Sequence, residues 1–301
     1  MGSFKEMIMV EPRQNTTNAV RVLILLALAL AGTMVTGVAT FLLTAAKANF
    51  MWGVVLQDIL VFILPAILLA LICYRQPWRF LQVDCVPQWQ AIVLVVAVWC
   101  VSLPAMNWVV DWNQNLHLPA GMAALERAMR QAEAVMEQMT RELLSADTFG
   151  QMLVAFVVVG VMAGVSEELF FRGALMGIMR RGRASDHVVI WVVAIVFSAI
   201  HFQFLGFVPR MLLGAWFGYL LVWTRCLWIP ILAHTLNNGM VVIMEWMGNN
   251  RWIDGEAMER LGVPQDGGFP LLALVSAVAT AALIVLAWHF FQKKYSKTSA
   301  V

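Results

Sequence analysis

Apolar positions in this chain fall in long, nearly unbroken runs separated by short polar breaks. About 20 residues of helix cross a bilayer core of about 30 Å, so a run of that length reads as a membrane span. Such runs stand at about 20–46, 51–73, 89–110, 149–179, 187–206, 208–224, 227–248 and 270–291. The pattern predicts an all-α polytopic membrane protein with about eight transmembrane helices. One stretch has a different period. Met122, Leu125, Met129, Ala132, Met136, Met139 and Leu143 recur at spacings of three and four, while Glu126, Arg127, Arg130, Glu133, Glu137, Arg141 and Glu142 occupy the other faces. Residues 111–148 therefore predict an additional amphipathic helix on the membrane surface or across the bundle. A methionine-rich stripe also suits a lid that faces varied apolar substrates. The stretch 249–269, with Gly255, Gly262, Pro264, Gly267 and Gly268, reads as a loop. No internal repeat divides the chain, and residues 1–301 read as one membrane domain.

Composition agrees: 61% of residues are hydrophobic and 13% charged, which places the chain in the membrane instead of in solution. A formal net charge of +2, with its basic residues in short runs between apolar segments, gives no surface for nucleic acid. Charge reports topology instead. With the N-terminus in the cytoplasm, Lys5, Arg13, Arg21, Arg75, Arg79, Arg180, Arg181, Arg183, Arg225, Lys293, Lys294 and Lys297 fall inside. Lys47, Arg127, Arg130, Arg141, Arg210, Arg251 and Arg260 fall outside. The positive-inside rule then puts both termini in the cytoplasm, in the cell's inner (plasma) membrane. The polar N-terminus leads into the first run without a signal-peptide pattern, so that run is expected to stay as a span. Cys73, Cys85, Cys100 and Cys226 show no metal or redox spacing and are expected to be free thiols.

Against this background, "SEELFFRGAL" (residues 166–175) stands out. A charged side chain at the bilayer centre costs about 2.5–3.5 kcal/mol on insertion scales, so ionisable residues there are functional candidates. Glu168 and Arg172 are four apart with the acid first, the favoured order for a helical ion pair. Glu167 is turned about 100° away and keeps no such partner. Two later runs supply polar groups: His201 follows Phe197 by one turn in "FSAIHF", and His234 and Asn238 share a helix face in "AHTLNNG". Measured from the cytoplasmic side, Glu167 lies roughly 20 Å deep, His201 roughly 21 Å, and His234 to Asn238 roughly 10–17 Å. In hydrocarbon each needs a partner, and meeting one another is the simplest solution. The pairs Gly160/Gly164 and Gly173/Gly177 would let neighbouring helices approach closely. Asp58 and Glu245 are further membrane acids, read as members of local pairs.

Glu167-Glu168-x-x-x-Arg172, Phe197-x-x-x-His201 and His234-x-x-x-Asn238, in this order on successive apolar segments, resemble the three motifs of the CAAX protease and bacteriocin-processing (Abi) family. These are glutamate-dependent intramembrane proteases, and the eight predicted spans are similar to the family's prenyl-endopeptidase branch. The resemblance covers about residues 149–248 and marks them as the catalytic core helices. No Ser/His/Asp set competes with it, which leaves water as the nucleophile. A buried Glu167 suits the general base, His201 suits orienting the water, and His234 and Asn238 suit donating to the oxyanion. The resemblance implies the same roles, with Glu168 and Arg172 as support, and a membrane-associated peptide or protein as substrate, CAAX-like or otherwise hydrophobic. No cofactor is expected. The alternative is catalytic zinc held by Glu167, His201 and His234, although no HExxH helix is present. A rival of another class is a transporter or scaffold in which the buried groups carry protons or bind a partner.

Overall fold

The computed structural model describes residues 10–13, 16–264 and 268–298, with side chains to 292. Lys5 and Gly267 lie outside the described residues. Each long apolar run is helical, because a backbone in lipid must satisfy its own hydrogen bonds. The helices are α1 (Asn18–Ala45), α2 (Met51–Cys73), α3 (Trp89–Gln114), the amphipathic α4 (Ala123–Leu144), α5 (Phe149–Met179), α6 (Asp186–Ala199), α7 (Phe207–Thr224), α8 (Trp228–Asn249) and α9 (Leu271–Thr298). Eight of them stand where eight spans are predicted. Six, namely α1, α2, α3, α5, α7 and α9, are long and apolar enough to cross a membrane by length and composition. α6, at 14 residues, is shorter, and α8 interrupts its apolar sequence with His234, Thr235, Asn237, Asn238 and Glu245. The loop after α8 contains one short helix, Gly255–Glu259, started by the Asp254 side chain accepting from the Ala257 amide.

Helix starts follow local chemistry. Thr148 and Gln151 form a capping box at α5, and the Ser185 hydroxyl accepts from the Val188 amide at α6. The helix interiors depart from a plain α-helix at Asp58–Ile63 in α2 and at Phe156–Met162 and Leu169–Leu175 in α5, where the turns widen to π-helix. π segments of this kind are frequent at functional sites. Here two of them bracket Glu167 and Glu168.

Close helix crossings set the architecture. A Cβ added to Gly160 would lie 3.1 Å from the Cα of Gly239, and one on Gly164 would lie 2.6 Å from Thr235 Oγ1. α5 and α8 thus touch backbone to backbone, as the small-residue spacing predicts. Gly173 and Gly177 receive Leu81, Leu227 and Phe80 at similar range, docking the connection between α2 and α3 against α5.

α6 and α7 form a hairpin whose turn carries His201. The sequence places His201 within a span of about 187–206; in the structure α6 ends at Ala199 and His201 lies in the turn beyond it. Phe202 adopts a left-handed conformation (φ 53°), and the Ser198 hydroxyl donates to the Phe207 carbonyl across the turn. Non-helical backbone at membrane depth needs partners from the protein. Asn113, buried at the end of α3, supplies two: its Nδ2 donates to the Phe204 carbonyl at 3.2 Å and its Oδ1 accepts from the Val208 amide at 2.8 Å. Glu133 of α4 accepts from the Leu205 amide at 3.3 Å. The amphipathic helix therefore touches the turn that holds His201.

The cysteines depart from expectation. Cys85 and Cys226 form a disulfide across 141 residues of sequence, while Cys73 and Cys100 are free. The bridge ties the connection between α2 and α3 to the turn between α7 and α8, beside a hydrogen bond from the Leu227 amide to the Gln82 carbonyl at 2.8 Å. Spacing carries no signal for such a pair, because tertiary packing alone brings the two turns together.

Candidate functional site

Glu168 and Arg172 form the ion pair that their spacing predicts, with Nη1 to Oε1 at 2.7 Å and both side chains fully buried. The pair is not isolated. The same Glu168 oxygen accepts from His234 Nδ1 at 2.9 Å, and Arg172 Nη2 donates to the Gly214 carbonyl at 2.8 Å. Gly214 has no side chain for a reason: a Cβ there would stand 3.2 Å from Arg172 Nη2 and 3.1 Å from the Phe197 ring. The guanidinium also lies over the rings of Phe197 and Phe217, at 4.5 and 5.4 Å from their centroids. α5, α6 and α7 thus meet on one cation, whose charge is offset by a carboxylate and two aromatic faces, and α8 joins them through the bond from His234 to Glu168.

Glu167, one residue earlier, points elsewhere. His201 Nε2 lies 3.9 Å from one of its oxygens and His234 Nε2 lies 3.8 Å from the other. Both rings are oriented from behind. His201 Nδ1 donates to the Phe197 carbonyl at 2.7 Å, one turn back along the chain, and His234 Nδ1 donates to Glu168. In a neutral imidazole the remaining nitrogen is an acceptor and in an imidazolium it is a second donor, so each Nε2 faces Glu167 free to take either role. Aromatic packing holds the rings in place. Phe217 stacks on His234 with centroids 5.0 Å apart, and Phe197 meets His201 edge-on at 5.1 Å. The two contacts between Nε2 and carboxylate are too long for direct hydrogen bonds and leave the three groups facing a common point.

Asn238 lies one turn after His234, as its spacing predicts, but its amide faces α5. Its Nδ2 donates to the Val159 carbonyl at 3.3 Å and its Oδ1 accepts from Asn237 at 3.1 Å. One of its two N–H groups is thereby used, and no direct contact joins it to Glu167 or His201. Asp58, read from sequence as a member of a local pair, proves to be buried beside the centre. Ser166, the residue before Glu167, donates its hydroxyl to Asp58 Oδ1 at 2.8 Å, while Asp58 Oδ2 is enclosed without a hydrogen-bond partner. An acid within an apolar run was its only signal. Phe217 had none, since one phenylalanine among many aromatic residues identifies no ring as the one on His234.

Further along the α7–α8 face, an apolar cavity of about 70 Å³ is lined by Val95, Val98, Trp99, Phe217, Ala233 and Asn237, among others. It touches the polar cluster through Phe217 and Asn237. The zinc alternative asks Glu167, His201 and His234 to gather as ligands. Among the described residues no group of three or more His, Cys, Asp and Glu side chains is close enough to hold a metal. The donor types suit zinc, and the two histidine nitrogens, 3.9 and 3.8 Å from the Glu167 oxygens, stand somewhat wider than ligands held about 2.0–2.2 Å from one ion would.

Comparison with known proteins points the same way as this geometry. Residues 149–240 match the model of the type II CAAX prenyl endopeptidase Rce1-like family. Over 93 residues the chain is 30% identical to the membrane-embedded CAAX protease MroQ of Staphylococcus aureus strain USA300. That stretch is 29% of this chain and 37% of the relative, so the likeness spans just over a third of the relative's length. No solved structure matches the chain.

Proposed function

We propose that this chain, which belongs through residues 149–240 to the Rce1-like family of CAAX proteases, is an intramembrane endopeptidase that hydrolyses membrane-associated peptides with water activated by Glu167. The observation that carries the reading is the convergence of His201 and His234 Nε2 on the two oxygens of Glu167, at 3.9 and 3.8 Å. A water at that point donates one hydrogen to Glu167 and another to His201, whose Nε2 is an acceptor because Nδ1 is committed to Phe197. Glu167 takes the proton as the water oxygen bonds to the scissile carbonyl carbon. His234, protonated on both nitrogens, donates Nε2–H to the oxyanion, and Glu168 behind it stabilises the imidazolium. Asn238 turns its unused amide N–H to the same oxygen. Collapse of the intermediate breaks the C–N bond, and the proton on Glu167 passes to the leaving amine. Glu168 and Arg172 do not react; they hold His234 and tie α5 to α7.

The substrate class follows from the site's place among apolar helices: a peptide that reaches the site from the membrane, CAAX-like or otherwise hydrophobic. Comparative proteomics of membranes from cells with wild-type protein and with the Glu167→Gln variant tests this reading. Specific fragments should be lost in the variant; identical profiles would sink it. Metal dependence is tested on purified active protein. Chelation should leave turnover unchanged, while Asn238→Ala should lower it by about 10²–10³, the scale for losing one oxyanion donor. Loss to a chelator with recovery on zinc, alongside a silent Asn238→Ala, would instead make the histidines ligands.

The distribution of arginine and lysine supports an integral membrane protein with both termini cytoplasmic. On this orientation the end bearing Arg75, Arg79 and Arg225 is cytoplasmic, and so is the Cys85–Cys226 bridge. Cytoplasmic thiols are ordinarily kept reduced. Alkylation of intact cells before lysis should therefore trap Cys85 and Cys226 as thiols, with the bridge closing in purified protein. A bridge already formed in the living cell would count against the orientation.

A further inference from the structure

The sequence files Arg210 among the charges outside the membrane, yet the structure turns it inwards. Arg210, Gly214 and Phe217 share one face of α7, at spacings of four and three. The other two belong to the candidate site: the Gly214 carbonyl accepts from Arg172, and Phe217 stacks on His234. Arg210 therefore lies one turn along the face that looks into the polar cluster, about 6 Å from Gly214. Its Nη2 donates at 2.6 Å to Oε1 of Gln203, a residue of the turn that carries His201. Gly206 makes room, since a Cβ there would lie 3.3 Å from the guanidinium.

The other terminal nitrogen, Nη1, is enclosed and has no hydrogen-bond partner among the described residues. Arg210 forms no ion pair among them either; Glu167 and Glu133 are the carboxylates that act on it electrostatically at longer range. This sets it apart from Arg172, the other arginine of the cluster, whose charge is offset by Glu168 at 2.7 Å. An enclosed N–H without an acceptor costs more than a solvated one, and a guanidinium recovers that cost best by gripping an anion. The planar fork matches a carboxylate. Neutral amide oxygens of a peptide backbone would leave the charge uncompensated.

We infer that Arg210 is a specificity-determining residue that anchors a carboxylate of the peptide substrate beside the Glu167 centre. The inference rests on the peptidase reading above. The carboxylate comes either from the free C-terminus of the peptide or from an aspartate or glutamate side chain near the scissile bond. Gln203 positions the guanidinium, and Glu133, on the amphipathic helix that touches the same turn, favours a cation there without occupying Nη1.

The test uses the full-length protein in lipid nanodiscs, with Glu167→Gln to prevent turnover, and three fluorescent apolar peptides of one sequence. The first ends in a free carboxylate, the second in a carboxamide, and the third in a carboxamide with a glutamate two residues from the end. By anisotropy, a carboxylate peptide should bind about 10- to 100-fold more tightly than the neutral one, the range for a hydrogen-bonded charge. Preference for the first peptide assigns the chain terminus, and preference for the third assigns a side chain. Adding Arg210→Gln should bring the ratio to within about threefold. Equal binding of all three peptides, absence of binding by any, or a preference that survives Arg210→Gln overturns the anchor. Turnover of the same peptides by wild-type protein reports separately on the peptidase reading. Cleavage that ignores the carboxylate would leave a peptidase without this anchor, whereas selective binding without cleavage would leave a carboxylate site without a peptidase.

Discussion

Glu167→Gln is expected to leave the protein folded and to lower peptide hydrolysis by about 10²–10⁴, the contribution of a positioned general base. The two halves of this expectation have separate physical sources. Glu167 makes no direct hydrogen bond to either histidine, since both Nε2 contacts exceed normal range at 3.9 and 3.8 Å. Its replacement by an amide of nearly equal volume therefore breaks no bond that holds the helices together. Removing a carboxylate from a largely enclosed position also lifts an ionic desolvation cost, so the melting temperature should be unchanged or slightly higher. What disappears is the carboxylate that takes the proton from water and returns it to the leaving amine. His201→Ala should be comparably damaging to turnover, because it removes the acceptor that orients the water. The measurements are kcat on a responsive peptide and a thermal melt in the same detergent. Near-normal turnover by folded Glu167→Gln would remove Glu167 as the base.

Arg172→Ala should act the other way round, with stability as the first loss. The variant strips Glu168 of its cationic partner in a fully buried site, leaves the Gly214 carbonyl without its donor, and opens space between Phe197 and Phe217. Removing one partner of a buried pair costs about 3–5 kcal/mol, largely through the unpaired charge left behind. Expression and melting temperature should both fall, and activity should fall with them, since Glu168 would no longer hold His234 in one orientation. Arg172→Lys separates charge from shape. It retains a cation near Glu168 but lacks the planar fork that reaches Glu168 and Gly214 together, so an intermediate melting temperature is expected. An unchanged melting temperature in Arg172→Ala would mean that the pair contributes nothing to the fold.

These two variants separate neighbouring residues on one helix into chemistry and scaffold. The division arises from geometry as much as from residue type. Glu168 carries the same carboxylate as Glu167, but it lies between Arg172 and His234 and accepts from both through one oxygen. The sequence already indicates the first of these partners, because an i,i+4 spacing is local. The second comes from a helix 66 residues further on, and only the crossing of α5 and α8 at Gly160, Gly164 and Gly239 makes that bond available.

Other features of the site were legible to different degrees for equally specific reasons. The small-residue pairs on α5 forecast a close helix approach and found one. His201 was placed in the right neighbourhood but in the wrong kind of backbone. Apolar residues continue past Ala199 into Phe202, Phe204 and Leu205, and hydropathy does not register where a helix stops when the turn is supported by Asn113, Ser198 and Glu133. Asp58 reads from sequence as one member of a local pair, but only the fold identifies the partner as Ser166, and Arg210 reads as a charge beyond the membrane until the packing of α7 turns it towards Gln203. The cysteine pair left no trace in its spacing.

What the amino-acid sequence determined alone was the solvent and the local partners. Long apolar runs commit the backbone to helices in a bilayer, because no other open structure satisfies its hydrogen bonds there. Ionisable residues inside those runs mark the polar centre, because lipid makes each of them costly without a partner. Spacings of four establish which of them share a helix face. The tertiary structure alone decided which faces meet, which nitrogen of each histidine is free, and which arginine of the cluster lacks a carboxylate partner among the described residues. Those outcomes depend on approaches of a few ångströms between helices distant in sequence, set by glycines at the crossings and by side chains packed across them, and no periodicity along one helix encodes them.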